Sequence, residues 1–168
     1  MFARIVKLSP ATAVALTLAA SSSAMAQTAH ASPMPALPAD GVVNVKSAYS
    51  MDETIARVKQ DIAAKGITYF LTVDQSKLAA DAGIKLRPSS LLIFGNPGLG
   101  SQFITSKPEA GLDWPVRLLV HQDDSGQVWA SYTDFTWIAH RHGIMDRDEQ
   151  FKIATKVIAS ITSSVQAR

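Results

Sequence analysis

The residue pattern predicts an α+β domain, a two-layer sandwich with a largely antiparallel sheet and two long helices on one face. Three observations lead there. Amphipathic helical stretches stand near both ends of the folded region, at 50–66 and 146–165. Five short runs rich in Val, Ile, Leu, Thr and aromatic residues have the length and bounding turn residues of strands. The connections are too short for a fully doubly wound parallel sheet, so the helices are expected to collect on one side.

The domain is expected to start late in the chain. Arg4 and Lys7 form a short basic region, 11–20 is apolar with small residues, and Ala24-Met25-Ala26 is an A-x-A cleavage pattern. This is the layout of a secretory signal peptide over 1–26. Its apolar run is well short of the roughly 20 residues that span a bilayer. Cleavage after Ala26 would leave a periplasmic or secreted, not membrane-spanning, protein. Residues 27–41, with Pro33, Pro35 and Pro38, read as an Ala/Pro-rich tether. The domain proper is expected over 42–165.

Charge and cysteine content narrow the chemistry. The chain carries 16 basic and 14 acidic residues. Loss of Arg4 and Lys7 leaves 14 against 14, with no basic cluster to track phosphates, so no nucleic-acid partner is expected. There is no cysteine, which excludes thiol catalysis, thiolate zinc sites and iron–sulfur clusters. A chain of this size can bury a core without disulfides.

Each element has a local reason. Alternation over 42–48 suits a first strand. Ser50-Met51-Asp52-Glu53 has the form of a capping box, Ile55, Val58 and Ile62 share one helical face, and Gly66 stops the helix. A strand over 67–73 runs into Asp74, which can cap a short helix ended by Gly83. A third strand over 86–94 has Pro88 near its start, where proline is tolerated. The turn-rich connection 95–115 has room for a short helix around 99–105. Strands 116–121 and 127–132 flank Asp123-Asp124-Ser125-Gly126, a hairpin signal. Asp134 caps a short helix to His140. In the last helix Phe151, Ala154, Val157, Ile158 and Ile161 share a face opposite Lys152, Thr155 and Lys156.

Three segments carry a resemblance. They are Pro88-Ser89-Ser90-Leu91-Leu92-Ile93-Phe94-Gly95-Asn96-Pro97, then Gly111-Leu112-Asp113-Trp114-Pro115-Val116-Arg117-Leu118-Leu119-Val120, then Asp124-Ser125-Gly126-Gln127-Val128-Trp129-Ala130-Ser131-Tyr132. In order and at this spacing they resemble the DUF302 family, over roughly 42–163. The resemblance implies a TATA-binding-protein-like sandwich, β-α-β(4)-α, and a homodimer. It implies no catalytic residues, and the fold name by itself implies no DNA binding.

The candidate site is the connection between the third and fourth strands, because function often sits on loops that a scaffold positions. Gly95, Gly98 and Gly100 could cradle an anion, but the Lys-Ser/Thr of a P-loop and the dinucleotide fingerprint are both missing. Their expected role is to meet the backbone demands of a tight strand exit. Asn96, Lys107, Asp113, Tyr132 and His121 are the candidate ligand-binding residues. No metal site is expected: His140 and His142, two apart on a helix, do not share a face, and nothing in the spacing adds His121 as a third ligand. His30 lies in the tether. There is no G-x-S-x-G elbow for a serine hydrolase, and Asp123-Asp124-Ser125-Gly126 lacks the ligand ladder of a calcium loop. No cofactor is expected.

The reading that follows is a non-enzymatic exported module that binds a small molecule or a protein partner. The alternative is an enzyme acting on a small periplasmic substrate, with His121 or His140 as general base.

Overall fold

The structure, a computed structural model, describes residues 40–167. The expected signal peptide, His30 and nearly all of the tether lie outside the described residues.

Five strands form one antiparallel sheet: β1 (Val42–Lys46), β2 (Thr68–Asp74), β3 (Ser89–Gly95), β4 (Val116–Gln122) and β5 (Val128–Thr133), in the order β1-β5-β4-β3-β2. The helices are α1 (Met51–Ala64), α2 (Gln75–Asp81), α3 (Pro97–Ser106), α4 (Phe135–His142) and α5 (Asp148–Ser163). A short 3₁₀ helix over Pro108–Leu112 stands where an irregular loop is expected. The expected β-α-β(4)-α order is present, with α2, α3 and α4 as shorter insertions.

Strand register sorts the side chains by face. Val45, Ala130, Val120 and Ser90 stand in one row across the sheet, and Tyr132, Leu118 and Leu92 in the next. This face is buried under α1 and α5, which contribute Val58, Ile62, Phe151, Ala154, Ile158 and Ile161 to the core. Phe103 of α3 stacks on Phe151 with ring centroids 4.2 Å apart. The opposite face alternates with it. Asn44, Ser131, Leu119, Leu91 and Val73 form one of its rows, and Lys46, Trp129, His121 and Ser89 another. Its apolar side chains are only half-buried, and Leu71 is 46% exposed.

Caps act as the residue types dictate. Asp74 accepts from Lys77 N at 2.9 Å and Asp134 from Trp137 N at 2.9 Å. At α1 half of the expected capping box forms. Ser50 Oγ accepts from Glu53 N at 3.3 Å, but the Glu53 carboxylate takes Arg57 instead, at 2.8 Å. A charged partner one turn along the helix outcompetes the backbone N–H. Gly143 closes α4 in the left-handed region at φ +62°, where a Cβ is costly.

Strand β2 holds a bulge. Tyr69 pairs with Phe94 and Leu71 with Ile93, so Phe70 is the extra residue. A bulge on an edge strand re-aims a side chain and blunts edge-to-edge pairing. Here it sets Phe70 edge-on to Trp114, with ring centroids 6.4 Å apart.

A buried polar pair ties β1 to α1. Ser47 Oγ and Thr54 Oγ1 lie 2.6 Å apart, and Thr54 has no exposed surface. Thr54→Val keeps the shape but leaves Ser47 without this partner. It is expected to cost about 1–3 kcal/mol of unfolding free energy, while Thr54→Ser costs less. Denaturant midpoints of the two variants check this.

Candidate functional site

The connection from Phe94 to Pro115 is ordered by one aromatic ring. Asn96 leaves β3 and caps α3, its Oδ1 accepting from Leu99 N at 3.2 Å, and Pro97 occupies the first helical turn. Trp114, joined to Pro115 by a cis peptide bond, lies against the backbone of Gly95 and Gly100. A Cβ on Gly95 would meet the indole Nε1 at 3.0 Å, and one on Gly100 would fall inside the ring. Neither glycine has positive φ. The expectation that these glycines answer a backbone demand is therefore corrected: they are absent side chains that make a seat for Trp114.

Beside that seat is a cleft of about 390 Å³. Ile67, Phe94, Leu99 and Trp114 line one side, and Val157 and Ile158 of α5 the other. Its polar lining is Lys65, Asn96, Lys156 and Ser160, and among the described residues no carboxylate lines it. Lys65 Nζ is paired with Asp61 at 2.5 Å, whereas Lys156 has no ion-pair partner among the described residues. The volume falls in the usual range for small-molecule sites, which are mostly apolar with a few polar groups.

The five candidate residues from the sequence lie in different places. Asn96 is on the cleft. Lys107 is exposed at the junction of α3 and the 3₁₀ helix, where its N–H donates to Phe103 O at 2.9 Å. Asp113 is buried, its side chain 3% exposed, and accepts from Arg117 Nη2 at 2.8 Å, Arg141 Nη1 at 3.0 Å and His142 Nε2 at 2.7 Å. Those donors occupy its carboxylate. Tyr132 is half-buried on the core face of β5, where burial and then the nearby Asp134 raise the pKa of its phenol.

His121 lies on the opposite face of the sheet from the cleft. Its Nε2 is 3.0 Å from Ser131 Oγ, which donates to Asn44 Oδ1 at 2.6 Å. With the hydroxyl proton given to Asn44, His121 Nε2 is the donor to Ser131 in this arrangement. That is the reverse of a base activating a serine. Two shallow concavities flank His121, one of about 540 Å³ along Lys85–Ser89 and one of about 240 Å³ beside Asn44 and Trp129. His140 is exposed on α4, apart from His121, and His142 is held by Asp113.

The sequence reading missed Lys65, Lys156 and Ser160 as lining residues, and Ile153 with them. Ile153 offered the signal: it is apolar, lies outside the main apolar face of α5 and is 50% exposed. With Val157 and Ser160 it makes a second stripe on the helix.

Asp123 organises the β4–β5 hairpin. Oδ1 accepts from Ser125 Oγ at 2.7 Å, Ser125 N at 2.9 Å and Gln127 N at 3.0 Å, and Oδ2 accepts from Trp129 Nε1 at 2.8 Å. The Ser125 hydroxyl and the Trp129 indole lead in holding its carboxyl far below the ordinary 3.8. A depressed folded-state pKa gives stability that is complete above the unfolded value and is lost as pH falls through the folded one. From about pH 5 to about pH 2, Asp123→Asn is therefore expected to lose less stability than the parent protein. The Trp129 indole N–H resonance should move with the Asp123 titration.

The seat of Trp114 makes a second prediction. Gly100→Ala is expected to destabilise by about 1–3 kcal/mol through overpacking. In a Trp114→Ala background the same change should cost measurably less, which a double-mutant cycle from chemical denaturation reads directly.

Comparison with known proteins gives three curated relatives, each 40% identical over 112 residues. They are the fluoride-specific ion channels FluC 1 of Brucella suis and of Brucella abortus and FluC 2 of Brucella melitensis. The match covers 67% of this chain but only 42–44% of theirs, so the chain spans less than half the length of these relatives. A solved structure, an uncharacterized conserved protein DUF302 from Bacillus stearothermophilus, shares the fold with a TM-score of 0.69 at 17% identity. The similarity covers 75% of this chain and 98% of that one. The domain of unknown function DUF302 matches residues 43–166, nearly the whole described fold, and the chain belongs to that family.

Proposed function

We propose that this domain is a non-enzymatic small-ligand-binding module whose site is the cleft beside Trp114. One observation carries the reading: a cleft of about 390 Å³ with apolar walls and a few polar groups, Asn96 among them. A ligand there would lie against Leu99, Trp114 and Val157, and Asn96 would orient it. The alternative of a histidine general base has less support, because His121 is on the other face of the sheet from the cleft.

The module is proposed to work outside the cytoplasm, after removal of residues 1–26, and as a homodimer. The half-buried apolar face of Leu71, Val73, Leu91, Ile93, Leu119 and Trp129 supports self-association. Ion conduction, named for the Brucella relatives, is not proposed for this chain. Among its described residues no helix is long and apolar enough to cross a membrane.

Native mass spectrometry of the protein from its own cell envelope tests these points together. The expected outcome is a dimer beginning at Gln27 that carries a small molecule. Filling the cleft with Val157→Trp should release that molecule and leave the dimer intact. A protein that carries nothing and binds no small amphiphile in solution would overturn the ligand-binding reading.

A further inference from the structure

The cleft's polar groups all point to one kind of ligand. Asn96 uses its Oδ1 to cap α3, which leaves its amide N–H groups to offer. Trp114 gives the cleft its indole ring, while the Nε1 edge sits against Gly95 and Gly100. Lys156 brings a positive charge with no ion-pair partner among the described residues, and Ser160 stands one helical turn further along α5. Lys65 adds a second cation across the cleft, partly spent on Asp61. Among the described residues no Asp or Glu lines the walls. A site with apolar walls, several donors and a net positive rim is complementary to a molecule with an apolar body and an anionic, acceptor-only head.

We propose that the cleft holds a free single-chain amphipathic anion of the carboxylate class. Its apolar tail lies among Leu99, Trp114 and Val157, and its head lies at Lys156. This rests on the ligand-binding reading above and adds the ligand's chemical class. A free molecule fits better than a lipid within a bilayer. Membrane surfaces are held by clusters of several basic residues, and here two lysines border one cleft on a chain left with 14 basic and 14 acidic residues once 1–26 are removed.

The test compares three ten-carbon probes below their micelle concentrations: decanoate, decanol and decyltrimethylammonium. Isothermal titration of the purified protein is expected to show one saturable decanoate site, about tenfold tighter than the cation, as one charge interaction gained and one repulsion avoided allow. Lys156→Glu, a change at an exposed position, should weaken decanoate about tenfold and leave decanol unchanged. The Trp114 indole and Asn96 side-chain resonances should shift on binding.

Equal affinity for all three probes, or no effect of Lys156→Glu, overturns the anionic head while the cleft reading survives. No saturable binding of any probe overturns both. So does binding whose shifts map to His121 and Trp129. Sedimentation with phosphatidylglycerol vesicles by a protein that ignores free decanoate assigns the site to membrane lipid and overturns the proposal.

Discussion

The contact of the Trp114 indole with Gly95 and Gly100 is the constraint on which the rest of the site depends. It closes the path from β3 into α3 and brings the start of β4 back over the chain that left the sheet. It also supplies one wall of the cleft and the surface that receives Phe70. Close packing makes such a seat intolerant, because interiors have no spare volume for even one extra carbon. Two glycines and one large ring act as a single unit spread over twenty residues.

A second constraint is the one-sided sheet. α1 and α5 cover one face, and the residues that alternate with the core stand on the other. The protein therefore presents two kinds of surface. One is a cleft within the helical layer, with its own volume and donors. The other is a broad half-apolar face carrying His121, Ser131 and Asn44. In shape, a small molecule suits the first and a flat partner suits the second.

Much of the fold was legible because its signals are local. Asp74 and Asp134 cap helices through backbone N–H groups three residues on, and Asp123 with Gly126 turns a hairpin within five residues. The resemblance implied the same β-α-β(4)-α succession that the residue patterns give. The site was less legible. Lys65, Asn96, Trp114 and Lys156 meet only after folding, and no periodicity links them. α3 was expected to start at Leu99 because Gly98 and Gly100 weaken the helical pattern, yet Asn96 and Pro97 begin it. The bulge at Phe70 left no mark, since an extra residue in a strand only shifts the alternation. Asp113 looked available because its sequence neighbours gave no hint of Arg141 and His142.

The buried Asp113 has a consequence for how the cleft can open. It fastens the segment just before Trp114 to Arg141 and His142 of α4 and to Arg117 of β4. Ser106 and Gln102 of α3 are likewise tied to Asp146 and Arg147. The glycine-rich connection is thus clamped at its middle and at its far end and behaves as scaffold, despite its composition. The freer wall is the outer stripe of α5, where the half-exposed Ile153 and the long Lys156 stand. Exposed side chains of that kind change rotamer in picoseconds to nanoseconds, far faster than a loop opens. On that side the cleft is bordered by two exposed side chains of a helix, and the apparent loop is its frame.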